Sequence, residues 1–206
     1  MKYIFVAGAP GSKWSSVVKN IYWSPSIDHS DYSDARTYYH DASGEMQLMH
    51  LGAYWDPGME FGKNFRILDT MSKSECEAEF DRPFSSQGIR IIKSHVFCYH
   101  LDFLKATWPN CKIILVHRGN DACLGWWVRC GEFEISYPDY SGYYQDLRRM
   151  SQEINRQNSA LTQYWHNNPK RWANNNKHLA LSLGIEAPPA EYYQDYEIND
   201  IKVAVI

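Results

Sequence analysis

The sequence has no Cys-x-x-Cys pair, no long apolar run, no surplus of positive charge and no Gly-Lys-Ser/Thr triplet. Each absence narrows what the chain does. The five cysteines, Cys76, Cys98, Cys111, Cys123 and Cys130, are odd in number and irregularly spaced. That argues against a disulfide framework and removes the common zinc and thioredoxin-like motifs. His29, His40, His50 and His100 form no ligand pattern either, so no metal is expected. No apolar stretch approaches the ~18 residues of a membrane-spanning helix, and the opening run Tyr3–Ala7 is too short for a signal sequence. The expectation is a cytoplasmic protein without membrane insertion. With a formal net charge of −3, the broad cationic footprint of a nucleic-acid binder is missing, and no nucleic-acid partner is expected. A small anion held by a few local cations remains compatible with that charge.

Against these absences stand ordinary globular proportions, 44% hydrophobic and 22% charged residues in a chain of 206. That length suits one domain over 1–206 with a long insertion better than two domains. Aromatics reach 15%, a density that fits either a ligand cleft or a Tyr-rich surface. Three short runs read as strands buried on both faces: Tyr3–Ala7, Ile89–Ser94 and Lys112–His117. Helical spacing follows each of them, at Ser15–Tyr22, at Tyr99–Trp108 (closed by Pro109) and at Asp121–Cys130, where Asn120 or Asp121 can cap. This β-α alternation predicts an α/β fold with a mostly parallel central sheet flanked by helices. Further on, Tyr144–Trp165 and Trp172–Leu183 read as helices, the second ended by Gly184, and Ile201–Ile206 as a late strand or a docked terminus. The segment at about 24–65 has little periodicity. Such a loop is either a cover for a cleft or a surface insertion. Its Asp56 and Glu60 are candidate acceptor-site groups.

The strongest local signal is Gly8-Ala9-Pro10-Gly11-Ser12-Lys13-Trp14-Ser15-Ser16, directly after a strand and opening a helix. Small residues let backbone N–H groups turn inward around an anion. The helix N-terminus adds partial positive charge, and hydroxyls and a Lys add donors. The pattern makes this an anion-binding loop and the fold a three-layer, P-loop-type one. A standard triphosphate loop would carry Gly at 13 and Lys at 14, where Lys13 and Trp14 stand. The usual magnesium and γ-phosphate arrangement is therefore missing. Two further segments carry chemistry. Lys93-Ser94-His95 ends the second strand, where a His can take a proton from a hydroxyl. Arg118 follows the third strand, where a planar guanidinium suits bidentate contact with phosphate.

Taken in order, these segments resemble the sulfotransferases. The loop is similar to that family's Pro-Lys/Arg-Ser-Gly-Thr-Thr, with Pro10, Ser12 and Ser15 matching. Gly11 replaces the usual basic residue and Lys13 the usual Gly. Lys93-Ser94-His95 resembles the family's Lys-Thr-His, and Arg118 with Asp121, Trp126 and Trp127 resembles its 3′-phosphate segment. Gly125 stands where that segment has Ser. The matching blocks cover residues 3–22 and 90–130, and the late Gly-x-x-Gly-x-Trp-Lys segment of larger members is missing.

The resemblance implies a transfer of sulfuryl from 3′-phosphoadenosine 5′-phosphosulfate to an acceptor hydroxyl or amine. His95 would act as base, with Lys13 and Lys93 stabilising charge. Pro10, Gly11, Ser12, Lys13, Trp14, Ser15 and Ser16 would hold the 5′-phosphosulfate, and Arg118 the 3′-phosphate. Trp14 and Trp126 are each either a core ring or a platform for adenine. The expected acceptor is a small molecule or glycan, with the aromatic-rich insertion between Tyr38 and Phe65 as the candidate segment for its specificity. Two alternatives stand beside this one: a nucleotide or small-molecule kinase, and an inactive nucleotide-binding homologue.

Overall fold

A strand with apolar side chains on both sides can be buried only between two layers, and β1 (Tyr3–Gly8) is wholly buried. Its Tyr3, Phe5 and Ala7 enter one core, and its Ile4 and Val6 the other. The computed structural model describes residues 1–32, 37–39, 47–49, 51–55, 65–129, 146–193 and 195–206. The other strands are β2 (Thr37–Tyr39), β3 (Gln47–Met49), β4 (Ala53–Tyr54), β5 (Arg90–Lys93), β6 (Lys112–His117), β7 (Arg171–Ala173) and β8 (Lys202–Val205). The main sheet runs β4-β5-β1-β6-β8-β7, and β2 and β3 form a separate antiparallel pair.

The four strands β4, β5, β1 and β6 are mutually parallel, as the alternation of runs and helices predicts. The sheet as a whole is mixed, because β8 runs antiparallel to both β6 and β7. Helices cover both faces. On one face lie α1 (Trp14–Tyr22) and α6 (Asn176–Leu183), packing Val17, Val18, Ile21, Leu179 and Leu183 onto the sheet. The opposite face carries α2 (Lys73–Asp81), α3 (Leu101–Thr107) and α5 (Leu147–Asn167). There Tyr3, Phe5, Phe80, Phe97 and Trp108 interlock edge to face at 5.5–6.1 Å between ring centres. Much of the aromatic surplus is therefore core. The remaining helix, α4 (Asn120–Arg129), packs with α5 around Ala9, Cys123, Trp127, Met150 and Ile154.

Three sequence-based boundaries change. The predicted helix Trp172–Leu183 is a strand followed by a helix: Trp172 and Ala173 pair with β8, and the Asn175 side chain accepts from His178 N–H to start α6 at Asn176. Gly184 does end it, at φ 71°. The predicted helix from Tyr99 begins at Leu101, after a 3-10 turn over Val96–Tyr99. The insertion is less irregular than its composition suggests. It supplies β4 to the sheet edge and buries Tyr54 and Trp55. Asp56 and Glu60 lie outside the described residues, as do the start of the predicted Tyr144–Trp165 helix and Cys130. Among the described residues no helix is long and apolar enough to cross a membrane.

Strand order fixes where a crevice can open. The chain leaves β1 through α1 toward the β4–β5 side, and leaves β6 through α4 and α5 toward the β7–β8 side. Adjacent parallel strands whose connections diverge leave a gap outside their carboxyl ends, the usual ligand position in open α/β sheets. Here that gap lies between the loop after Gly8 and the residues after His117.

Candidate functional site

The loop after β1 turns tightly, with Ser12 N–H donating to Ala9 O at 3.0 Å and Gly11 at φ 76°. A Cβ on Gly11 would sit 2.1 Å from Cys123 O, so the loop lies directly on α4. Lys13 caps α1 in the left-handed conformation, φ 62° and ψ 24°. A side chain there is unfavourable by about 1 kcal/mol, yet it reproduces the backbone that glycine would adopt at this place. No side chain caps α1, and its first turn holds no acid. Its positive end is therefore not neutralised locally. Ser12 is fully buried, and its Oγ has no hydrogen-bond partner among the described residues; Ser15 is buried and Ser16 half-buried.

Cations and an indole gather around this loop. Lys13 Nζ lies 4.6 Å from the centre of the Trp126 ring, and the Arg129 guanidinium 5.7 Å from it. Arg118, just past β6, donates from Nη1 to Ala122 O at 3.1 Å and to Gly11 O at 3.4 Å. It thereby ties the loop to the first turn of α4. Its Nε is buried without a partner, and it makes no ion pair among the described residues. Asn158 of α5 donates to Arg118 O at 2.8 Å and to Asn120 Oδ1 at 2.7 Å, which fixes the backbone on which Arg118 stands.

His95 lies on the β5 side of the same loop. Its Nδ1 is 2.5 Å from Gly8 O, so Nδ1–H donates there and Nε2 carries the basic lone pair. Trp14 stacks on the imidazole at 3.9 Å with planes 16° apart, and Tyr54 meets both rings edge-on. The ring is 3% exposed. Burial holds its pKa down at about 3 against the opposing hydrogen bond to Gly8 O, and the charge of Lys93 adds to the depression. Lys93 is fully buried, with Nζ 5.5 Å from the centre of the Tyr54 ring.

The loop Pro10–Ser16 thus meets both distant segments: Trp14 stacks on His95, and Gly11 O accepts from Arg118. Trp14 is a core ring with His95 on one face, whereas Trp126 stays half-buried beside Lys13. Trp127 packs into the core beneath Ala9, and Gly125 and Asp121 are exposed. Sequence reasoning missed Tyr54 and Asn158. The only signal for Tyr54 was the short apolar run ending in Trp55, and nothing in the polar face of α5 marked Asn158. Among the described residues no group of His, Cys, Asp and Glu could hold a metal ion. No family model, curated protein or solved structure matches the chain.

Proposed function

We propose that the chain is a P-loop-type sulfotransferase that binds a nucleotide with phosphates at both ends of its ribose across the β1–β6 crevice. The observation that carries this is Arg118, a half-buried cation with a buried, unpartnered Nε and no carboxylate partner among the described residues. A buried charge without a counter-ion is costly, and a bound anion offsets that cost. Arg118 reaches Gly11 O, three residues before the uncapped start of α1, so both flank the same loop. A ligand carrying two phosphate groups could engage both.

In the transfer, the acceptor oxygen attacks sulfur. The bond from sulfur to the bridging phosphate oxygen breaks, adenosine 3′,5′-bisphosphate leaves, and the acceptor proton passes to His95 Nε2. Lys13 and Lys93 stabilise charge on the leaving oxygen and the sulfuryl group. A general base works best with a pKa near the working pH, and His95 without ligand is far below it. The donor corrects this in the required direction, because a nearby anion favours imidazolium and raises the pKa. Since Trp14 covers the imidazole, the acceptor reaches Nε2 only after Trp14 or Tyr54 shifts.

Burial of His95 also favours a second reading, a nucleotide binder without transfer activity. Calorimetric titration with adenosine 3′,5′-bisphosphate, beside ATP with magnesium, separates the possibilities. We expect micromolar binding of the bisphosphate without metal, weakened about 10- to 100-fold in Arg118→Ala, as hydrogen bonds to a charged group imply. Binding of ATP–magnesium alone would replace the proposal with a kinase. Bisphosphate binding with no transfer to a panel of sugars, phenols and amines would favour the inactive binder.

A further inference from the structure

A second concavity lies apart from the loop, between α5 and the β7–β8 edge of the sheet. Its volume is about 560 Å³, and Trp165, Trp172, Tyr196, Asn174, Glu197 and Lys202 are among the residues lining it. A smaller space of about 400 Å³ continues it past His117, Thr162 and His166 to Asn120 and Asn158. None of the loop residues 8–16 lines either one. Both volumes fall within the range of small-molecule sites.

Four observations define the chemistry this groove suits. First, Trp172 is 49% exposed on a strand, with Trp165 behind it at 5.2 Å and 64° between planes. An exposed indole backed by a second one is a rigid apolar platform for a flat or ring-shaped ligand. Second, Tyr196 is fully buried, and its hydroxyl has no hydrogen-bond partner among the described residues. Asn158, 3% exposed in the adjoining space, likewise has an unpartnered Oδ1. Both atoms are sealed from solvent, so a ligand reaches them when the lining shifts, and pairing them then gains more than leaving them bare. Third, the lining mixes groups that donate with groups that accept, which suits hydroxyls, since each hydroxyl does both. Fourth, Glu197 and Lys202 offset one another in charge. His117 is held toward its neutral form by burial, and Lys202 reinforces this. The residues lining the groove therefore balance in charge, and Lys170, whose Nζ lies 5.8 Å from the centre of the Trp172 ring and donates to Trp165 O, stands beside the platform as a further donor.

We infer that this groove is a binding site for a neutral saccharide, with a pyranose face on Trp172 and hydroxyls paired to Tyr196, Asn174 and the smaller space. An anion is better served by Arg118 and Lys13. A purely aromatic ligand would stack on Trp172 but leave the buried polar atoms unpaired. The inference stands independently of sulfuryl transfer, because none of these residues belongs to the loop, to Lys93-Ser94-His95 or to Arg118.

Saturation-transfer NMR with the whole chain tests it, using glucose, galactose, mannose, N-acetylglucosamine, cellobiose and maltose, each at roughly 10 mM, with phenol as comparator. At least one saccharide is expected to bind with a dissociation constant of about a millimolar, the strength of a few good contacts. Trp172→Ala should weaken it by about tenfold or more, and Tyr196→Phe by roughly fivefold. Lys13→Ala should leave it unchanged. Trp172 is half exposed, so its replacement leaves the core intact, and an unchanged thermal midpoint would confirm that. Binding by no saccharide, binding by phenol alone, or saccharide binding that survives Trp172→Ala would each overturn the inference.

Discussion

At the scale of single residues, Lys13 shows two opposed demands on one position. Its backbone sits at φ 62°, where a Cβ is unfavourable, while its ammonium lies against Trp126 beside the loop after β1. Replacing it separates the two. Lys13→Gly should raise stability by roughly 0.5–1 kcal/mol, because glycine adopts this conformation without the steric penalty. The same change should weaken bisphosphate binding about tenfold through the lost cation. A urea titration reads the first effect as a higher midpoint at unchanged slope, and calorimetry reads the second. A lower midpoint would mean that the contact with Trp126 outweighs the backbone strain. The sequence shows Lys13 only as a departure from a known pattern. That a Lys can occupy a glycine conformation there depends on α4 presenting Trp126, which no local rule reveals. His95 is similar. Its place in Lys93-Ser94-His95 is legible, but its burial depends on Trp14 and Tyr54, which come from two other segments.

At the scale of elements, α4 and the loop behave as one unit, joined by Gly11 against Cys123 and by the Arg118 hydrogen bonds. Two glycines on this unit should respond oppositely. A Cβ at Gly11 would meet Cys123 O at 2.1 Å, and the position also has φ 76°. Gly11→Ala should therefore cost about 3 kcal/mol or more, with the loop pushed off α4. At Gly125 a Cβ meets nothing within 4 Å, and the residue sits inside a helix. Gly125→Ser should gain roughly 0.5 kcal/mol in helix propensity. It also places a hydroxyl where the sulfotransferase pattern has one, so bisphosphate affinity should rise several-fold. Equal destabilisation by both changes, read from thermal midpoints, would refute the tight contact between loop and α4. Strands β1, β5 and β6 and helices α1 and α5 were legible because short runs rich in Ile and Val and helically spaced apolar residues signal themselves. Strand β7 was not, since three residues, Arg171–Ala173, become a strand only through β8 much later in the chain.

At the scale of the whole molecule, burying neutral imidazoles couples stability to pH. His95, His100 and His117 all have pKa values lowered chiefly by burial. The unfolded chain then binds protons below about pH 6.5 that the folded chain refuses, so stability is full above that pH and falls as pH drops. Asp28 and Asp81 act at lower pH. Burial alone would raise their pKa values, but Ser30, Ser86 and Arg90 around Asp28, and Lys2, Tyr3 and Arg90 around Asp81, bring them below the ordinary carboxylate range. Their contribution is present above about pH 4 and is lost as pH falls further. Denaturation across pH should therefore show two successive losses, one from about pH 6.5 downward and one below about pH 4. The variant His95→Gln should flatten the first by up to a few kcal/mol and leave the second in place. If bisphosphate binds at the loop as proposed, it raises the His95 pKa, so by linkage its stabilisation of the fold should grow as pH falls from 7 to 5 in the natural chain. In His95→Gln that growth should shrink markedly. Ligand stabilisation with the same pH dependence in both proteins would show that the anion does not sit beside His95, and would remove His95 from the proposed reaction.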